Sequence, residues 1–110
     1  MSLTGSLDAT ATDHGVEFTF DVRNEGDGDV ELTFSDARKA DVVVRDGDEA
    51  VWRYSEGRMF AQMIQQATLG AGDVETFQVA WEDPEPGDYE AVATLAARNA
   101  DVEAATSFSV

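Results

Sequence analysis

Val16-Glu17-Phe18-Thr19-Phe20-Asp21-Val22 alternates apolar and polar side chains without a slip. Successive side chains of an extended strand point to opposite faces. This run therefore has one face for a core and one acidic face for water, and it predicts a half-buried antiparallel strand. Upstream, Leu3, Gly5, Leu7, Ala9 and Ala11 keep the same period and predict a first strand. Downstream, Asn24-Glu25-Gly26-Asp27-Gly28-Asp29 is a turn with glycines available for positive φ, and Val30, Leu32 and Phe34 resume the period of two.

Farther out the pattern recurs. Ser35 to Lys39 is a loop, and Ala40 to Arg45 a strand. Asp46-Gly47-Asp48-Glu49 carries the Asp-Gly signal of a tight hairpin leading into Ala50 to Tyr54. Ser55-Glu56-Gly57 breaks that strand. Arg58 to Thr68 fits either a short helix, with Phe60, Met63, Ile64 and Ala67 on one face, or a strand; the all-β surroundings favour a turn and then a strand. Leu69 to Asp73 is a turn, and Glu75, Phe77, Val79 and Trp81 share one side of the next strand. Glu82 to Asp88 is a loop holding both prolines, followed by a strand with Tyr89, Ala91, Ala93 and Leu95 on one side and a closing strand from Val102 to Val110. About eight or nine short strands with turns between them predict an all-β antiparallel sandwich. No linker or repeat interrupts the chain, so residues 1–110 are expected to form a single domain.

The 110 residues carry 23 acids and seven bases, a formal charge of −16, with 43% apolar residues. Lys39 is the single lysine; the other bases are Arg23, Arg38, Arg45, Arg53, Arg58 and Arg98. Acids spread along the chain with almost no lysine suggest adaptation to concentrated salt, where the Debye length falls to roughly 3 Å at 1 M and self-repulsion is screened. The alternative is an acidic mimic of nucleic acid or a binder of basic partners. Nucleic acid itself is not expected as a partner, since such a field repels phosphates. Cysteine is absent, removing disulfides and thiolate metal sites. The N-terminus has no signal-peptide pattern and no run spans a membrane, so the expected location is cytoplasmic.

No set of residues points to catalysis. His14 is the lone histidine, beside Asp13 in a turn, with no nucleophile-elbow serine to serve. The acidic turns at Asp27-Gly28-Asp29 and Asp46 to Glu49 lack the spacing of a calcium loop. Paired carboxylates for glycoside chemistry find no evident cleft in so small a sandwich. The expectation is a non-enzyme with no metal and no cofactor.

One segment stands apart. Val51-Trp52-Arg53-Tyr54-Ser55-Glu56-Gly57-Arg58-Met59-Phe60-Ala61-Gln62-Met63-Ile64 concentrates aromatic, methionine and arginine residues, and no acid occurs from Gly57 to Gly72. From Arg38 to Arg58 five bases balance five acids, leaving two bases against eighteen acids elsewhere. Phe77 and Trp81 read as core. Trp52 and Tyr54 take the side opposite Val51 and Arg53. Arg53, Tyr54, Arg58 and Met59 are of the types enriched at interface centres, and with Phe60 they form the candidate partner-binding residues. The competing reading is that these arginines only pair with Asp41, Asp46 or Glu56.

Phe18-Thr19-Phe20-Asp21-Val22-Arg23-Asn24 and Val30-Glu31-Leu32-Thr33-Phe34 resemble the opening of the BsuPI-type intracellular proteinase inhibitor family. Val51 to Gln62 is similar to that family's Val-Trp-x-x-Ser-x-x-x-x-Phe-x-Gln signature, and Gly72-Asp73, Trp81 and Pro86-Gly87-x-Tyr89 follow in the family's order. Ala71 and Asp73 depart from its usual Pro and Glu. The resemblance implies an immunoglobulin-like sandwich that inhibits an intracellular, serine-type proteinase by stoichiometric binding. Pro86-Gly87-x-Tyr89 also resembles the tyrosine-corner entry of such sandwiches. The alternative is a non-inhibitory accessory domain that assembles with itself as a homodimer or with other proteins.

Overall fold

The period-two runs become nine antiparallel strands in a computed structural model, which describes residues 3–34, 39–56, 62 and 64–110. They are β1 (Leu3–Thr12), β2 (Gly15–Asn24), β3 (Val30–Phe34), β4 (Ala40–Asp46), β5 (Glu49–Arg53), β6 (Gln65–Leu69), β7 (Val74–Glu82), β8 (Asp88–Leu95) and β9 (Glu103–Ser109). One sheet has the order β1-β2-β7 and the other β5-β4-β8-β9, while β3 and β6 pair as a ribbon. The core lies between the layers, and among the described residues Phe18, Phe20, Val22, Leu32, Phe34, Val42 and Val44 are its largest fully buried apolar side chains. Val16, Phe18, Phe20 and Val22 all point into it, as their alternation predicts.

Two tight hairpins set local register. Between β1 and β2, Thr12 faces Gly15, and a Cβ on Gly15 would collide with the Trp81 carbonyl oxygen. Between β4 and β5, Asp46 faces Glu49, so Gly47 and Asp48 reverse the chain, one residue on from the Asp46-Gly47 pair that signals the turn. Gly47 sits at φ +61 in the first loop position, where a II′ hairpin takes glycine. The β4–β5 register then passes from Arg45–Ala50 to Val44–Trp52 and leaves Val51 without an opposite residue, a β-bulge.

The segment left open between helix and strand resolves, within the described residues, into β6 from Gln65, paired with β3 from Val30–Leu69 to Phe34–Gln65. The expected loop at 35–38 lies outside the described residues. The closing strand is shorter than predicted: Val102 is buried beside Leu95, whose N–H bonds its carbonyl, and Val110 is exposed beyond the strand. Asn99 joins β3 to the β8–β9 connection, accepting from the Thr33 N–H (3.0 Å) and donating to the Glu31 carbonyl (2.7 Å).

Asn24 sits where β2 ends and the chain turns toward β3. Its side chain is fully buried. Nδ2 donates to the carbonyls of Gly28 (2.8 Å) and Leu69 (2.9 Å), and Oδ1 accepts from the Gly26 N–H (3.0 Å). Its own N–H bonds Asp73 and its carbonyl accepts from Gly72. One residue thus ties the β2–β3 turn to the β6–β7 turn. Truncating it strands two carbonyls and an N–H, each costing about 1–3 kcal/mol when buried. Asn24→Ala is expected to lose about 2–4 kcal/mol in urea unfolding. Thr76→Ala, which removes only an exposed hydroxyl bond to Asp21, should lose under about 1 kcal/mol.

Candidate partner-binding site

The bulge at Val51 turns the end of β5 so that Trp52 and Tyr54 lie half-buried against the core, while Val51 and Arg53 are exposed. Trp52 bridges the layers, with ring centroids 6.1 Å from Phe18 on β2 and 5.8 Å from Trp81 on β7. Trp81 in turn meets Tyr89 edge-on at 5.2 Å, and Phe18 meets Phe108 at 5.4 Å. Trp52 therefore belongs to an aromatic cluster, where such pairs add about 0.5–1.5 kcal/mol each beyond burial. Phe77 and Trp81 take core positions as read from the alternation, Phe77 at the margin and Trp81 buried. Tyr89 donates its hydroxyl to the Glu85 carbonyl four residues upstream at 2.6 Å, the bond expected of a tyrosine corner.

Asp41 fixes the turn at the end of β5. Its carboxylate is buried at the start of β4. Oδ1 accepts from the N–H groups of Val42 (2.9 Å) and Ser55 (3.1 Å), and Oδ2 accepts from Ser55 Oγ (2.7 Å). Arg53 Nη1 reaches Oδ2 at 3.5 Å. The Tyr54 N–H bonds the Val42 carbonyl and the Glu56 N–H closes a turn onto Arg53. Residues 53–56 are thus held by a buried acid twelve to fourteen positions earlier. Desolvating a carboxylate is costly unless its lone pairs are filled, and these donors fill them.

Of the five candidate residues, Arg53 and Tyr54 are placed together on this turn; Arg58, Met59 and Phe60 lie outside the described residues. Arg53 adopts the ion-pairing alternative with Asp41, yet half its side chain remains exposed. Lys39, at the border of the same neutral stretch, sits 5.9 Å over the Phe34 ring. The roles of Asp41 and Ser55 were missed from sequence. Their one signal was an acid placed among the apolar residues of a strand, in Ala40-Asp41-Val42.

Elsewhere the chemistry is sparse. His14 is exposed in the β1–β2 turn. An open, acidic concavity is lined by Asn24, Asp27, Asp29, Glu31 and Asn99. Among the described residues no group of three or more metal-ligating side chains gathers, and no helix is long and apolar enough to cross a membrane.

Two antiparallel layers, a tyrosine corner and a cross-layer aromatic cluster define an immunoglobulin-like β-sandwich. The solved structures agree on the fold. The CARDB domain of PF1109 from Pyrococcus furiosus, solved in solution, matches with a TM-score of 0.54 and 18% identity over 98% of this chain and 93% of that one. The crystal structure of that domain, in complex with di-metal ions, matches with a TM-score of 0.54 and 17% identity over 99% and 92%. A β-glucosidase from Kluyveromyces marxianus matches at 0.55 and 16% identity over 99% of this chain, which spans 14% of that protein. No curated protein matches. The model of the BsuPI family, described as intracellular proteinase inhibitor, matches residues 3–100. The chain belongs to that family.

Asp41→Ala removes the acceptor of the Val42, Ser55 and Arg53 bonds. It is expected to cost about 2–4 kcal/mol and to speed hydrogen exchange at the Ser55 amide. Arg53→Ala removes only a half-exposed ion pair and should cost under about 1 kcal/mol. Equal losses for the two variants, measured by urea unfolding, would place the anchoring in the ion pair instead of the Ser55 bonds.

Proposed function

We propose that this chain inhibits a serine-type intracellular proteinase by stoichiometric binding, without turnover, through the surface running from Arg53 to Phe60. Family membership supports an inhibitor with a proteinase partner. The observation that carries the site is the Asp41 clamp, which fixes the entry to the signature segment against the core. An inhibitor gains affinity when its contact segment is held before binding, because less ordering entropy is lost in the complex. Arg53 is anchored yet half exposed, and Arg58, Met59 and Phe60 follow it closely in the sequence. Residues 1–110 act as one cytoplasmic domain in this reading, with no nucleic acid, membrane, metal or cofactor.

A specific observation favours a second reading. Trp52 and Ser55, two fixed letters of the signature, serve packing and the Asp41 clamp. A sequence keeping them for the fold alone would look the same, so a non-inhibitory accessory domain is the alternative. Titration of proteinases, including halophilic subtilisin-like enzymes, separates the two. In molar KCl the inhibitor reading expects stoichiometric loss of proteinase activity with the chain intact. Arg58→Ala combined with Met59→Ala should then weaken inhibition at least about tenfold, the loss of one interface anchor. Full residual activity with the chain digested would leave the accessory reading.

The charge of −16 supports a concentrated-salt habitat. The melting temperature is expected to rise from dilute buffer to molar KCl as carboxylate repulsion is screened. A fall over that range would remove the halophilic reading.

A further inference from the structure

The two larger sheets turn unlike outer faces to solvent. On the β1-β2-β7 sheet that face carries Asp8, Glu17, Asp21 and Glu82 against Arg23, with polar Thr19 and Gln78 among them. On the β5-β4-β8-β9 sheet, Val42, Val44, Ala91 and Ala93 are buried in the core. Val43 and Val92 therefore point outward, opposite each other in the ladder and only half-buried. Register extends them into a row across all four strands, Arg53–Val43–Val92–Ala105. The next row sets Arg45 beside Glu90 and Ser107. Arg45, Glu90 and Ala105 are exposed, so among the described residues nothing lies over this face.

Its charges are divided by side. Arg53 and Arg45 stand on β5 and β4, Glu90 and Glu103 on β8 and β9, and the two valines lie astride the boundary. A two-fold axis parallel to the strands, passing over that boundary, exchanges the sides and keeps each row level. It sets Val43 against Val92 of the other copy and Arg45 against Glu90, each twice. With the sheets about 10 Å apart, each Arg45 then lies between its own Glu90 and that of the other copy, an alternating square of charges. Arg53 meets Ala105, with Glu103 one row away. An axis across the strands through the same row would instead lay Arg53 on Arg53. The face is thus complementary to itself in one orientation. Four acids and one base on the other sheet cannot match themselves in this way.

We propose that the β5-β4-β8-β9 face binds a second copy of this chain about the axis parallel to its strands. The charge layout selects this occupant: arginines on one side, glutamates on the other and an apolar seam between them are what the same face presents when turned over. Such a contact is isologous and closes at two copies. Asp88 and the hairpin acids Asp46 and Asp48 fall at its lower rim, where concentrated salt screens them. Four strands about 4.8 Å apart and about five residues deep bury roughly 500 Å² per copy, below the roughly 800 Å² of a standard interface. The dimer is therefore weak, with a Kd on the order of 10–100 μM in molar KCl.

Arg53 also belongs to the proposed inhibitory surface, so the test uses Arg45 and Glu90, which lie outside residues 53–60. Sedimentation equilibrium in molar KCl, up to about 500 μM, reads the association. Arg45→Glu sets glutamates of one copy against glutamates of the other, and Glu90→Arg does the same with arginines. Each alone should raise the Kd at least about tenfold. Mixed in equal amounts, the two variants should associate with each other about as tightly as the native chain, because the glutamates of one meet the arginines of the other. Ion pairing within a chain predicts no such recovery, and recovery also shows that both variants are folded. Glu17→Arg, an equal change of charge on the opposite sheet, should not raise the Kd. Three results would each overturn the proposal: a native chain monomeric throughout that range, a native-like Kd for either single variant, or a mixture no tighter than its components. None of them involves a proteinase, so inhibition stands or falls separately.

Discussion

The buried amide of Asn24 is the constraint on which the two layers depend. Strands β2 and β7 belong to one sheet, whereas β3 and β6 pair in a ribbon, with β3 alongside the β8–β9 connection. Both chain segments must leave one ladder and enter another at the same place. At such a point backbone groups lose their ladder partners and, if buried, have no water to replace them. Asn24 supplies two donors and an acceptor from a single side chain, and its main chain supplies one more of each. Aspartate has the shape but no donor for the Gly28 and Leu69 carbonyls. The change of sheet therefore needs an amide of this length.

Much of this architecture was legible in the residues. The alternation from Val16 to Val22 and from Tyr89 to Leu95 placed whole faces correctly, because a one-residue slip would expose every large side chain of the strand. The turn after Asn24 was legible as well, but not its means: Gly26 and Gly28 do not take the positive φ expected of them, and the Asn24 side chain shapes the turn instead. Less was readable where the period breaks. Val51 drops out of register, so counting from it cannot give the β5 pairing. Phe60 and Ile64 fit helix and strand equally, and among the described residues the strand β6 runs from Gln65 to Leu69. Asp41 and Ser55 were silent because their partnership spans fourteen positions and joins two residues common on any surface. Sequence patterns report which side faces a core; they carry little about which polar pair will close a turn.

The family signature acquires two meanings from this geometry. Trp52 contributes to the aromatic cluster and Ser55 to the acid clamp, so these letters describe how the segment is held. In the proposed inhibitor reading, the arginines and the methionine and phenylalanine after them are what it presents. The holding is built into the core: the same β4 strand that buries Val42 and Val44 also carries Asp41. Residues 53–56 are tied to β4 by the Asp41–Ser55 bonds and by the Tyr54 N–H on the Val42 carbonyl.

The long reach of the Asn24 bonds also orders the way this chain assembles. The β1–β2 and β4–β5 hairpins close across two-residue turns and cost little loop entropy. Their partners arrive late. Val22 pairs with Glu75, Val43 with Val92, and the Asn24 amide waits for Leu69, forty-five residues on. Until β6 and β7 dock, that amide has only the local Gly26 and Gly28 groups to bind. Topologies dominated by such distant pairings fold in milliseconds to seconds, far slower than helical bundles. For that interval β2 stands with its apolar face uncovered, and the acidic face behind it, charged and well hydrated, is what keeps unfinished chains apart.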